Sequence, residues 1–221
     1  MSSNLNQSDI KNEIQAALDW RYATKIFNKN KKISDENWNL LEDCLIKAPS
    51  SYGLQPWKFL IIKNPKLRQD LRVHTWNQSQ VTDASHYVVF LAKQQLDIEH
   101  IDKHLARVSD LRGVSSETLT GYRNMMTENL LKSDRFKTIR FWAQRQAYIA
   151  MGFLLETASL LQIDACPIEG MSPEEYNKIL KLENTGWETI AAVALGYRSD
   201  DDKYQSIKKV RFDKSDVIEW I

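Results

Sequence analysis

The chain reads as a single α+β domain. Three observations predict it. Helical and strand patterns alternate along the sequence without the regular strand–helix–strand spacing of a doubly wound sheet. No glycine-rich phosphate loop follows a strand pattern, because both G-x-G-x-x-G and G-x-x-x-x-G-K are absent. The 221 residues suit one main core and show no repeat, low-complexity stretch or clear linker, so residues 1–221 are taken as one domain.

Each element has its own local reason. Residues 9–20 place Ile10, Ile14, Ala17 and Leu18 at helical spacing. Residues 21–30 form a cation-rich loop. Ser34 caps a second helix, with Asp35 and Glu36 in its first turn, where negative charge suits the helix dipole. Trp38, Leu41, Leu45 and Ala48 make its stripe, and Pro49 ends it. Residues 50–56 are a loop of small and turn-forming residues, followed by a strand over 57–63. Pro65 starts a short helix that runs to Val73. Residues 87–92 are a nearly continuous apolar run, which predicts a strand covered on both faces.

Residues 96–132 are helical in pattern but polar and broken near Gly113, which predicts a mobile helical excursion over the core. Residues 136–161 form the strongest helix. Trp142, Ile149, Phe153 and Leu160 mark one side, and Phe141, Tyr148 and Leu155 widen the arc, which predicts a central buried helix. A short strand over 163–166 precedes the turn Cys166-Pro167-Ile168-Glu169-Gly170. Ser172-Pro173-Glu174-Glu175 is a capped helix start. Residues 188–197 form a core strand, and residues 204–221 have no strong period.

Composition excludes several classes. The net charge of +1 supplies no field for nucleic acid or an anionic membrane. No apolar run is long enough to span a bilayer. Two distant cysteines, Cys44 and Cys166, make no disulfide framework and fit a reducing compartment. Residues 1–7 are polar without a secretion pattern, so a cytoplasmic location is expected. His100 and His104 share a helix face, but no H-E-x-x-H is present, and a solvated face is the better reading. No metal is expected. Cys166 ends an apolar strand without a nearby base and reads as an inert thiol. Ser50 and Ser51 lack a nucleophile elbow. His86, at the start of a strand, reads as structural.

Any bound nucleotide must then be held by side-chain cations. Arg21, Lys25, Lys209 and Arg211 are the candidates, since Arg presents a fork to phosphate and Lys a point charge. Lys209 and Arg211 share one face if their segment is extended. Taken on spacing alone, these are surface charges.

Four blocks and a basic tail resemble the FMN-dependent nitroreductase family. They are Arg21-Tyr22-Ala23-Thr24-Lys25-Ile26-Phe27, Pro49-Ser50-Ser51-Tyr52-Gly53-Leu54-Gln55-Pro56-Trp57, Asp83-Ala84-Ser85-His86, Pro167-Ile168-Glu169-Gly170 and Lys209-Val210-Arg211. Their order and separations carry the match from about Ile14 to Arg211. The resemblance implies a central, mainly antiparallel sheet wrapped by helices, in an intertwined homodimer with FMN at the interface. It implies NADH or NADPH as donor and a nitroaromatic, quinone or related small-molecule acceptor in a ping-pong cycle through flavin N5, with no catalytic side chain. A flavin store or sensor, or a same-fold flavin enzyme with other chemistry, is the alternative.

Position by position, the resemblance gives the phosphate to Arg21, Lys209 and Arg211, with Tyr22 and Ala23 in the same block. Lys25 and Asn77 take the pyrimidine end of the ring. The Glu169 and Gly170 backbone N–H groups face N5, and Pro167 and Ile168 pack on one ring face. Ser50, Ser51 and Gly53 come from the other subunit, and Gln146 makes a polar contact from the long helix. Tyr22 and Ala23 stand where His and Ser are frequent, and the missing hydroxyl at Ala23 weakens FMN binding by about 1 kcal/mol. Gly53 stands where Asn occurs in some members. Gln80 stands where some members have Lys, a change that bears on NADPH preference and flavin potential.

Overall fold

The structure, a computed structural model, describes residues 6–221. Residues 1–5, part of the stretch read above as polar, lie outside it. A four-stranded antiparallel sheet in the order β1-β2-β4-β3 forms the middle layer. Its strands are β1 (Trp57–Ile61), β2 (His86–Lys93), β3 (Asp164–Ile168) and β4 (Trp187–Gly196). Side chains alternate across it. Val88, Phe90, Val193 and Leu195 face α2 (Asp35–Lys47) and α7 (Ile139–Leu160). Tyr87, Val89, Leu91, Ala192 and Ala194 face α3 (Pro65–Val73), α4 (Gln80–Asp83) and α8 (Pro173–Ile179). Both faces are therefore covered, as the apolar run in β2 requires.

The expected caps form. Ser34 accepts from the Asn37 N–H at 3.3 Å, and Ser172 opens α8 with Pro173 at its first position. α1 (Gln7–Trp20) begins two residues before the expected start. Buried hydroxyls are paired: Tyr87 Oη meets Tyr176 Oη at 2.8 Å, and Tyr176 meets Thr75 at 2.5 Å.

Three expectations need correction. β3 runs on to Ile168, through the stretch expected to be a turn. Pro167 is tolerated because β3 is an edge strand, where a missing N–H costs no ladder bond. The excursion at 96–132 is a packed unit, comprising α5 (Ile98–Arg112), α6 (Thr120–Thr127) and a wider turn over Glu128–Lys132. Ile101, Leu105, Met126 and Leu130 form their own core with Leu54, Ile139 and Trp142. Gly113 at φ 63° closes α5 in the left-handed region.

The third correction concerns α7. Its buried face is Trp142, Ala143, Ala147, Ala150, Met151, Leu154 and Ala158. Phe141, Tyr148, Ile149, Phe153 and Leu160, expected inside, point outward. Ala143, Ala147, Ala150 and Ala158 let α7 approach the sheet closely, Trp142, Met151 and Leu154 fill the space between them, and the other large residues remain outside. No helix among the described residues is long and apolar enough to cross a membrane.

Candidate functional site

A cavity of about 360 Å³ opens where residues 19–25 meet residues 204–211. Arg21, Tyr22, Ala23 and Lys25 line it from the first segment, and Lys208, Lys209 and Arg211 from the second. Two stretches nearly 200 positions apart thus converge, including six of the residues singled out from the sequence. Asp19 is the one carboxylate in its wall. No ion pair among the described residues engages Arg21, Lys25, Lys209 or Arg211. Burial and the like charges of Arg21 and Arg211 push the Lys209 ammonium below its usual pKa. Lys209 also donates to the Leu18 carbonyl, which ties the tail to α1.

A buried carboxylate holds the two halves together, and sequence reasoning missed it. Asp202 is fully buried. It accepts from the Lys25 N–H at 2.8 Å, the Ile26 N–H at 3.1 Å, the Tyr22 hydroxyl at 3.0 Å and the Tyr204 N–H at 3.0 Å. Burial raises its pKa, but these donors outweigh burial and hold it below the usual Asp range. Burial, then the bond to Asp202, pushes the Tyr22 hydroxyl up. Beside it the Arg198 guanidinium sits between the Trp20 ring at 4.2 Å and the Tyr22 ring at 4.6 Å, and donates to Asp164 at 2.8 Å. In sequence, Asp200-Asp201-Asp202 reads as a solvated charge run, so only tertiary contact reveals the role of Asp202.

The 21–25 segment lies beside β3. The Thr24 N–H donates to the Ala165 carbonyl at 3.3 Å, and Ala23 forms a parallel bridge with Ala165. Burial pushes the Cys166 thiol up, against the opposing charge of Lys25. Such a thiol is inert. Beyond β3, Glu169 is exposed and accepts from the Tyr148 hydroxyl at 2.5 Å. Strand alternation separates Pro167 from Ile168: Ile168 is buried against the α3 and α8 face, so the two side chains cannot share one ligand face. Pro167 is the half-exposed member of the pair.

Residues 74–78 close on this stretch. The Gln78 amide donates to the Gly170 carbonyl at 3.1 Å, and the Ser172 N–H donates to the His74 carbonyl at 2.9 Å. Trp76 and Asn77 both have positive φ, at 50° and 55°. The Trp76 indole lies so near Gly170 that a Cβ there would sit 2.6 Å from the ring. Trp76 is nevertheless 80% exposed. A large aromatic presented this way was not foreseen; its signal was a lone Trp in a polar turn. Gln80 is buried, its side chain facing Cys166, and does not line the cavity.

The remaining candidates cluster elsewhere. Gln146 is buried on α7, accepts from the Ser51 N–H at 2.8 Å and donates to the Trp142 carbonyl at 3.1 Å. The Ser50 hydroxyl accepts from the Gln55 N–H. Gly53 has φ 71°, and its neighbour Tyr52 has φ 58°. His100, expected on a solvated face, bonds the Leu54 carbonyl at 2.6 Å, and His104 packs on Gly53. Ser50, Ser51 and Gly53 are not in the wall of the cation cavity of their own chain.

The donor set fits a phosphate monoester. Five cations, Lys208 among them, converge without carboxylate partners among the described residues, and Lys209 has a depressed pKa. A phosphate would relieve their mutual repulsion.

Comparison with known proteins agrees with the fold. Residues 18–197 match the model of the nitroreductase family. YfkO of Bacillus subtilis (strain 168), provisionally named an NAD(P)H nitroreductase, is 37% identical over 97% of this chain and all of its own length. The structure of ydfN from B. subtilis, provisionally a nitroreductase, superposes with a TM-score of 0.79 at 18% identity, covering 96% of this chain and 100% of its own. A provisionally named nitroreductase of Exiguobacterium sibiricum 255-15, solved in complex with FMN, gives a TM-score of 0.78 at 18% identity, covering 94% of this chain and 97% of its own.

Proposed function

This chain belongs to the nitroreductase family, and we propose on that premise that it is an FMN-dependent oxidoreductase using NADH or NADPH. The observation that carries the proposal is the convergence of Arg21, Lys25, Lys209 and Arg211 on one cavity without carboxylate partners. Arg21, Lys209 and Arg211 hold the FMN phosphate, and Lys25 directs its charge toward the pyrimidine end of the ring. When bound, FMN would supply two-electron redox chemistry between the nucleotide and a nitroaromatic, quinone or related acceptor, in separate half-reactions. Lys25 would favour negative charge on a reduced ring, and so would raise the potential of the site. The backbone of Glu169 and Gly170 orients the reactive edge, and Asn77 the opposite end. Trp76 stands over Gly170 as the wall on the acceptor side. Asp202 does no chemistry. It fixes the backbone that carries Tyr22 and Lys25.

A homodimer completes this reading. Ile10, Ile14 and Leu18 of α1 and Ile149, Phe153 and Leu160 of α7 are each at least 40% exposed, and Phe212, Trp220 and Ile221 of the tail are more so. Apolar surface on this scale marks an association face. In the dimer the partner subunit brings its loop of residues 50–53 to the flavin, which accounts for their absence from the cavity of their own chain. Light scattering at micromolar concentration is expected to give about twice 25.7 kDa. A mass near 25.7 kDa with FMN bound overturns the dimer.

The deciding experiment is an absorbance spectrum of the purified protein, followed by anaerobic NADH or NADPH. Flavin bands that bleach on adding nucleotide are expected. A colourless protein that also refuses added FMN overturns the assignment.

A further inference from the structure

A second cation-lined cavity, of about 400 Å³, lies against the end of β1 and shares no lining residue with the first. Lys32, Lys63 and Arg68 line it, and no acidic residue does. We propose that this cavity is a second binding site, for a small oxyanion such as a phosphoryl group, held by Lys32, Lys63 and Arg68.

Arg68 is the anchor. It is only 8% exposed. Its Nε donates to the Ile62 carbonyl at 2.9 Å, and its two terminal nitrogens to the Ala84 carbonyl at 2.7 Å and the Ser85 carbonyl at 3.3 Å. All three acceptors are neutral, so the guanidinium is oriented and its charge remains uncompensated. Five N–H groups less three bonds leave two N–H groups unengaged. A buried charge without a counter-charge is costly, and an oxyanion is the partner whose geometry matches a guanidinium.

The neighbours strengthen the case. Lys32 and Lys63 are exposed at the rim, and neither enters an ion pair among the described residues. His86 also lines the cavity. Its ring is stacked on Trp38 at 3.9 Å between centroids, and its Nδ1 meets the Ser85 hydroxyl at 3.0 Å. Burial, then the charges of Arg68, Lys63 and Lys32, holds His86 neutral down to about pH 4, and Asp35 alone opposes them. Asp35 is not in the cavity wall. Three cations thus face one space that lacks the acid to balance them. Ile61, Ile62 and Pro65 supply an apolar wall, which suits an organic oxyanion better than a bare ion.

The test is calorimetric titration with inorganic phosphate at fixed ionic strength. It is run on the FMN-saturated protein and on an R21A/R211A variant, so that the first cavity is silent whether or not it binds FMN. One phosphate per chain is expected in both. Adding K32Q and K63Q is expected to weaken that binding at least tenfold without moving the thermal midpoint measured in phosphate-free buffer. No phosphate uptake by either form overturns the proposal, as does uptake that K32Q and K63Q leave unchanged.

Discussion

The two cation-lined cavities are nearly equal in volume, about 360 and 400 Å³, and opposite in construction. In the first, the charges sit on connecting segments, and three of the five come from an extended tail held to α1 through Lys209. In the second, the key charge is a buried guanidinium on α3, fixed by three carbonyls. The first site is assembled from a distance by Asp202; the second is built into the framework. A cavity of the first kind can adjust around a large ligand. The second is preformed for a small one.

The comparison breaks most visibly at Asp202. Replacing it with Ala removes the acceptor for three backbone N–H groups and one hydroxyl in a fully buried position. A loss of about 3–5 kcal/mol in folding stability is expected, read from urea midpoints, with FMN affinity falling alongside it. Because the Asp202 pKa is held below its ordinary value, its contribution is complete above the ordinary Asp range and disappears only as pH falls through the lowered value. D202A with unchanged stability would mean that the 21–25 segment is self-supporting and that the two cavities are built alike.

The next effect separates binding from folding. Arg211 is exposed, and its guanidinium donates only to the neighbouring Val210 carbonyl among the described residues. R211A is expected to weaken FMN binding by about 1.5–3 kcal/mol, roughly tenfold to a hundredfold, with no change in the urea midpoint. Undiminished FMN affinity removes Arg211 from the phosphate site.

How much of this was legible in the sequence follows the same division. Local signals gave the caps at Ser34 and Ser172, the start at Pro65 and the covered strand around Val88, because each depends on a few adjacent residues. The cation cavity needed the resemblance, since Arg21 and Arg211 read as surface charge until the chain folds back on itself. Asp202 and Arg68 were illegible: each is a charged residue bonded mainly to backbone groups, most of them brought in from other segments, and backbone groups leave no trace in residue type. On α7, ranking residues by size misled. The helix buries Ala147, Ala150 and Ala158 to approach the sheet, and reserves Ile149 and Phe153 for its outer face.

The smallest expected effect tests the charge of the second cavity by pH. The folded-state pKa of His86 lies at about 4, against an ordinary value of 6.5. Between these values the unfolded chain binds the extra proton and the native state does not, so stability rises with pH. The contribution is complete above about pH 6.5 and is lost as pH falls toward 4. After discounting for partial exposure, the loss is roughly 1–2 kcal/mol. Urea midpoints at several pH values, compared between the wild type and H86Q, isolate it, because H86Q lacks the titrating group. Equal pH slopes in the two proteins would mean that neither burial nor the charges of Arg68, Lys63 and Lys32 depress the His86 pKa. Phosphate should flatten the wild-type slope, since an anion among those cations stabilises the protonated ring and brings its folded pKa back toward the unfolded one.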